Sequence, residues 1–121
     1  MSMTKEDVRE KMKEKAVVLL NVGTEENYLK RHIKGSLNQP LVFDRGFFVQ
    51  EVERKFGKNK FFITYGQETA GIENRNASQI LAEKGFQTEN FPGGLDEWER
   101  AGWPTEGSLS EPRSASIGVS K

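Results

Sequence analysis

The 121-residue chain contains no cysteine, and that one absence removes disulfides, thiolate metal sites and thiol nucleophiles together. It has a single histidine, His32, so a multi-imidazole metal centre is excluded as well. Neither sign of charge is in excess: Lys+Arg 18 balance Asp+Glu 18, and the attraction that nucleic acid or an anionic membrane demands is missing. No apolar run approaches the length of a membrane span, and the segment Met1–Lys15 is charged where a leader would turn apolar. These absences predict a soluble, cytoplasmic protein with no nucleic acid, no membrane, no metal and no cofactor.

What remains suits one globular domain. A hydrophobic content of 35% in 121 residues supports a single core and leaves no room for a second domain. The domain is expected over residues 1–105. From Glu106 onward Ser, Glu, Gly and Pro dominate, so residues 106–121 are expected to be a flexible tail.

The stretch from Phe61 to Leu81 organises the chain. Phe61-Phe62-Ile63-Thr64-Tyr65 is an apolar strand, a small polar loop begins at Gly66, and a helix with Ala77, Ile80 and Leu81 on one face follows from about Asn74 to Lys84. A strand that passes through a loop into a helix places that loop at the carboxyl edge of a sheet, where open α/β folds keep their sites. The loop Gly66-Gln67-Glu68-Thr69-Ala70-Gly71-Ile72-Glu73 has no thiol, no imidazole and no cation, so it has the position of a site without a nucleophile.

Elsewhere strand and helix signals alternate. Thr4 and Asp7 form a capping-box pattern for a helix over residues 4–15, carrying Val8 and Met12 on one face. Ala16–Val22 is the continuous apolar run of a strand buried on both faces. Thr24 caps a short helix with Tyr28 and Leu29 on its inner face, closed by residues 31–35. Ser36-Leu37-Asn38 is placed as a strand by the alternation alone. Asp44 caps a helix bearing Phe48, Val52 and Phe56, ended by Gly57, and Phe47 falls off that face. Phe86–Phe91 is a strand candidate, and Leu95, Trp98 and Ala101 mark one side of a last helix. Such alternation specifies a parallel sheet covered by helices on both faces.

Four patterns stand in order along the chain: Leu19-Leu20-Asn21-Val22-Gly23-Thr24-Glu25-Glu26 with Tyr28; His32-Ile33-Lys34-Gly35-Ser36 leading to Asn38 and Pro40; Ile63-Thr64-Tyr65 before the loop; and Phe91-Pro92-Gly93-Gly94 with Trp98, Ala101-Gly102 and Pro104. Together, over roughly Thr4 to Thr105, they resemble the rhodanese-like domain. The resemblance implies a three-layer α/β/α fold with a central parallel sheet of about four to five strands. It also implies that the loop after the central strand is where active members carry a persulfide-forming cysteine. Here that position is Gly66, which has no side chain to carry sulfur.

Further departures accompany the loss. The family's first strand commonly ends Asp-Val-Arg, whereas this one ends Asn21-Val22-Gly23. Glu68 and Glu73 oppose an anionic sulfur donor by like-charge repulsion. The resemblance therefore implies a catalytically inactive domain that binds an unknown protein or small-molecule ligand through its vestigial loop, at Gly66, Gln67, Thr69, Gly71, Asn74 and Arg75. Two other readings stay open: an enzyme of different chemistry using Glu68 and Glu73 as an acid–base pair, or a structural or oligomerisation domain using the aromatics of residues 43–48. The expected state is a monomer or weak homodimer. His32 is expected to order the helix exit through a backbone hydrogen bond.

Overall fold

A computed structural model describes residues 2–67 and 71–109. In chain order the elements are α1 (Lys5–Lys11), β1 (Val17–Asn21), α2 (Glu25–Lys30), β2 (His32–Ile33), β3 (Leu37–Asn38), α3 (Arg45–Phe56), β4 (Phe61–Tyr65), α4 (Ile72–Glu83), β5 (Gln87–Asn90), α5 (Gly94–Arg100) and β6 (Thr105–Glu106). The main sheet has four strands in the order β3-β1-β4-β5, all parallel, with Val17 opposite Phe61 and Asn21 opposite Tyr65 at its centre.

Alternation along the two central strands divides the interior. Val18, Leu20 and Phe62 point to one face, where Phe48 and Val52 of α3 and Ala77, Ile80 and Leu81 of α4 cover them. Leu19, Ile63 and Tyr65 point to the other, beneath Val8 of α1 and Leu95 and Trp98 of α5. The sheet is thus the shared wall of two cores in a three-layer α/β/α sandwich.

The helix starts follow their caps. Thr4 Oγ1 accepts from Asp7 N–H at 3.1 Å while Asp7 Oδ2 accepts from Thr4 N–H at 3.2 Å. Thr24 Oγ1 and Asp44 Oδ1 cap α2 and α3 through the N–H groups of Asn27 and Phe47. The ends differ from the expectation where packing stops. Helix α1 ends at Lys11, not at residue 15, because Lys13, Glu14 and Lys15 are all exposed and nothing rewards another helical turn. Helix α4 begins at Ile72, two residues before the expected Asn74. Leu29, expected on the inner face of α2, is 57% exposed; only Tyr28 turns inward.

A second, two-stranded sheet was not expected. His32–Ile33, read as a helix exit, pairs antiparallel with Thr105–Glu106. Glu106, expected to open the tail, is instead the outer half of β6. The chain then continues along α2, with Ser108 N–H donating to Leu29 O at 3.0 Å and Leu109 N–H to Lys30 O at 2.7 Å. The rest of the expected tail lies outside the described residues.

Candidate functional site

The loop after β4 leaves the carboxyl edge of the sheet and is tied there at its first two residues. Leu95 N–H donates to Gly66 O at 2.9 Å and Asp96 N–H to Gln67 O at 3.0 Å. Both donors belong to the first turn of α5, whose N–H groups lack partners within their own helix, so one pairing satisfies the helix end and fixes the loop. Gly93 and Gly94 make the approach possible by different means. Gly94 has φ 66°, a left-handed conformation, while a Cβ on Gly93 would lie 2.9 Å from Phe91 Cε1.

From the other side the loop is held by amides. Asn21, fully buried at the end of β1, donates from Nδ2 to Gln67 Oε1 at 3.3 Å and accepts Gly23 N–H on Oδ1 at 2.9 Å. Asn38 Nδ2 donates to Asn21 O and to Gly23 O, each at 3.0 Å. A neutral carboxamide network thus stands at the strand end where the resemblance would place an acid and a base.

Below the loop sits a second buried network. Asn74, in the first turn of α4, is 1% exposed. Its Nδ2 donates to Asn90 Oδ1 at 2.6 Å and to Phe91 O at 3.2 Å, and its backbone carbonyl accepts the Thr64 hydroxyl at 2.7 Å. Among the described residues Asn74 Oδ1 has no hydrogen-bond partner, and it lies 3.9 Å from where a Cβ on Gly66 would stand.

The structure therefore sorts the expected site residues. Gly66 and Asn74 come together, with Asn74 buried beneath the loop and not on its surface. Gln67 is half-buried and turned toward Asn21, and Gly71 is the N-cap of α4 without a side-chain cap bond. Ile72, Glu73 and Arg75 are exposed on the first turns of α4. Glu68, Thr69 and Ala70 lie outside the described residues. Asn21, Asn38, Thr64 and Asn90 were missed as site residues. The only signal for them is an amide or hydroxyl within or beside an otherwise apolar strand, and burial alone decides whether such a group binds a ligand or its own chain.

His32 does what was expected: Nδ1 lies 2.7 Å from Tyr28 O, and its ring stacks on Tyr28 with centroids 3.8 Å apart. Its Nε2 is 3.4 Å from Glu106 Oε1, joining β2 to β6. Beside Gln67 a surface cleft of about 360 Å³ is lined by Lys30, Arg31, Leu95, Asp96, Glu99 and Leu109 among others. Arg31 Nε is 3.1 Å from Glu99 Oε2, close enough for an ion pair without the alignment of a hydrogen bond, and Nη2 donates to Leu109 O at 3.1 Å. Arg31 is thus already committed on the cleft wall.

A parallel α/β/α sandwich whose loop at the central strand's end is clamped by the last helix places its candidate site at the carboxyl edge of the sheet, as open α/β domains do. The chain matches the family model of the rhodanese-like domain over residues 4–101 and belongs to that family. It superposes on a protein of Bacillus halodurans with a TM-score of 0.76 at 19% identity, covering 97% of this chain and 89% of that one. It also superposes on the rhodanese-like domain of an Anabaena protein with a TM-score of 0.75 at 23% identity, over 99% and 87%. At these identities the likeness concerns the fold alone. A thiosulfate sulfurtransferase of Actinobacillus pleuropneumoniae is 46% identical over 37 residues, which is 30% of this chain and only 34% of that enzyme's length. Within the family, this chain has no cysteine at any position.

Proposed function

We propose that the chain is a catalytically inactive rhodanese-like module that recognises a small molecule or a protein group at the loop after β4. One observation carries the reading: the loop is held on both flanks, by α5 at Gly66 and Gln67 and by Asn21 at Gln67, while the position that would attack a sulfur donor is glycine. Sulfur transfer in this fold needs a thiolate that becomes a persulfide, and glycine supplies no atom for that bond. A clamped loop without its nucleophile retains the ability to bind.

The test has two parts. Incubation with thiosulfate and cyanide is expected to release no thiocyanate above the protein-free rate; sustained turnover would sink the claim of inactivity. Titration with a panel of anions, nucleotides and neutral metabolites is expected to move the backbone amide resonances of residues 66–75. A panel that leaves all of them unmoved would refute the binding role.

A second reading is favoured by exposed apolar side chains. Phe43 is fully exposed, and Leu29, Leu37, Val42 and Phe47 are each more than a third exposed. A groove of about 430 Å³ between α2 and α3 is lined by Leu29, Pro40 and Phe47 with Glu25, Glu51 and Lys55 at its edges, so one chain carries both an apolar knob at Phe43 and a partly apolar groove. That is the self-complementarity a twofold dimer requires. Sedimentation equilibrium with a single monomer mass at every concentration would dismiss it. The acid–base enzyme finds no such support, since Glu73 is exposed on the first turn of α4.

A further inference from the structure

We infer that two copies of this chain pair through the α2–α3 face, the Phe43 ring of each entering the groove of the other. This rests on the second reading above, that the domain self-associates, and names the anchoring side chain and the charges that align it.

Ring and groove are each left uncovered by their own chain. Phe43 stands in the bend ahead of α3 and is fully exposed, a large apolar ring with nothing packed on it. The groove has Leu29, Pro40 and Phe47 on its walls, and Leu29 is 57% and Phe47 47% exposed. Its volume of about 430 Å³ is space enough for an aromatic side chain. Phe43 precedes Phe47 by one helical turn's worth of chain, which spans at most about 14 Å, so the ring lies beside the groove it cannot fill. Two apolar features this close together on one surface are what a twofold contact buries in a single step.

Charge decides what fills the groove. Asp44 and Arg45 follow Phe43 directly, an acid and a base beside the ring, while Lys55 and Glu25 stand at the edge of the groove, a base and an acid. None of the four belongs to a salt bridge among the described residues. Asp44 uses only Oδ1 in capping α3, and Glu51, the other acid at the groove, is taken up by Arg54. A second copy brings both complementary charges together with the ring; a free aromatic molecule brings neither. The twofold repeats the contact, with Phe43 against the partner's Leu29 and Phe47, Asp44 opposite the partner's Lys55 and Arg45 opposite the partner's Glu25. One aromatic anchor and two rim pairs on each side make a small interface, of the class that associates weakly.

The full chain is brought to sedimentation equilibrium at concentrations from about 10 µM to about 1 mM, the range that reads a weak interface, and its nitrogen-15 spectrum is followed over the same range. The mass is expected to rise from monomer toward dimer and no further. The backbone amides of Leu29 and Phe47 and the side-chain amide of Gln39, which also lines the groove, are expected to shift with it. Phe43→Ser alters a side chain outside the core, so its far-ultraviolet dichroism should match the parent while association weakens by about tenfold or more and the shifts vanish. Arg45→Glu and Glu25→Arg are each expected to weaken association by about threefold to tenfold at low salt, and the two together to return it to within about twofold of the parent. A folded Phe43→Ser chain that dimerises like the parent overturns this interface and leaves self-association standing. A double reversal no tighter than the weaker single variant overturns the charge pairing and with it the inference. Mass that climbs past the dimer overturns the twofold exchange. One monomer mass at every concentration overturns this inference and the self-association reading together.

Discussion

Tyr65 shows how much depends on single polar atoms beneath the loop. Its hydroxyl accepts Ile33 N–H at 3.0 Å and donates to Ser36 Oγ at 2.7 Å, while Ser36 Oγ donates to Ile33 O at 2.7 Å. Burial pushes its pKa up to about 12, against the opposing effect of its hydrogen bonding with Ser36, Asn21 and Ile33. The folded state therefore favours the neutral phenol. Its stabilising contribution is complete below the unfolded value of about 10 and is lost as pH rises through the folded value. Tyr28 shifts upward too, through burial and then the charge of Glu106. Tyr65→Phe strands the Ile33 N–H and is expected to cost about 1–3 kcal/mol at neutral pH. Urea midpoints measured across the alkaline range should fall less steeply in the variant between about pH 10 and 12. An unchanged pH profile would show that Tyr65 does not titrate with unfolding.

The same scale decides what Gly66 has become. With room for a Cβ and no left-handed φ, Gly66→Cys is expected to fold within about 0.5 kcal/mol of the parent, the range for changes that strain nothing. Its thiol would face the unmet acceptor Asn74 Oδ1, which stabilises S–H over S⁻. Thiolate absorbance should therefore titrate within about one unit of the ordinary cysteine value near 8.5. A thiol two or more units more acidic would reveal an anion cradle at the loop. The sequence names Gly66 and Asn74 together as ligand-binding candidates, but it does not show that Asn74 is buried. Only its coordinates make it a buried strut.

At the scale of elements, the sequence exposed whatever repeats or is capped. The β4–loop–α4 unit, the caps Thr4, Thr24 and Asp44, and the flanking strand candidate at Phe86–Phe91 all appear where alternation and cap chemistry place them, within two residues. The pair β2–β6 escaped because two-residue strands have no period to detect and their pairing spans most of the chain. Thr105 and Glu106 looked like the onset of a tail because propensity does not see Ile33 waiting opposite. Arg31 completes that attachment by gripping both Glu99 and Leu109 O. Arg31→Ala is expected to cost about 1 kcal/mol globally, as half-exposed ion pairs do. Its clearer sign is local: the amides of Ser108 and Leu109 should exchange with solvent about fivefold faster while those of β4 do not. Equal acceleration in β4 would mean that Arg31 holds the whole domain and not this end.

At the scale of the molecule, the two cores share the sheet as their common wall, and their coupling can be read because the probes fall on one side. Both tryptophans belong to the face under α1 and α5: Trp98 is buried there with its Nε1 donating to Pro104 O at 2.9 Å, and Trp103 meets it edge to face at 4.8 Å. Phe48 lies on the opposite face, fully buried against β1, α4 and the central strand's Phe62. Phe48→Ala removes no atom near either indole, and its cavity is expected to cost about 3–5 kcal/mol. That is a large share of the roughly 5–15 kcal/mol that holds a domain of this size. Adjacent residues of β1 and β4 serve opposite cores, so neither face can loosen without moving the strands that the other packs on. Tryptophan emission should therefore report the distant lesion in full, with one transition displaced downward by roughly 10–25 °C. An emission transition left in place, with far-ultraviolet dichroism melting earlier, would mean that the faces unfold separately. The loop, anchored to α5 on one face and continuing into α4 on the other, would then belong to neither.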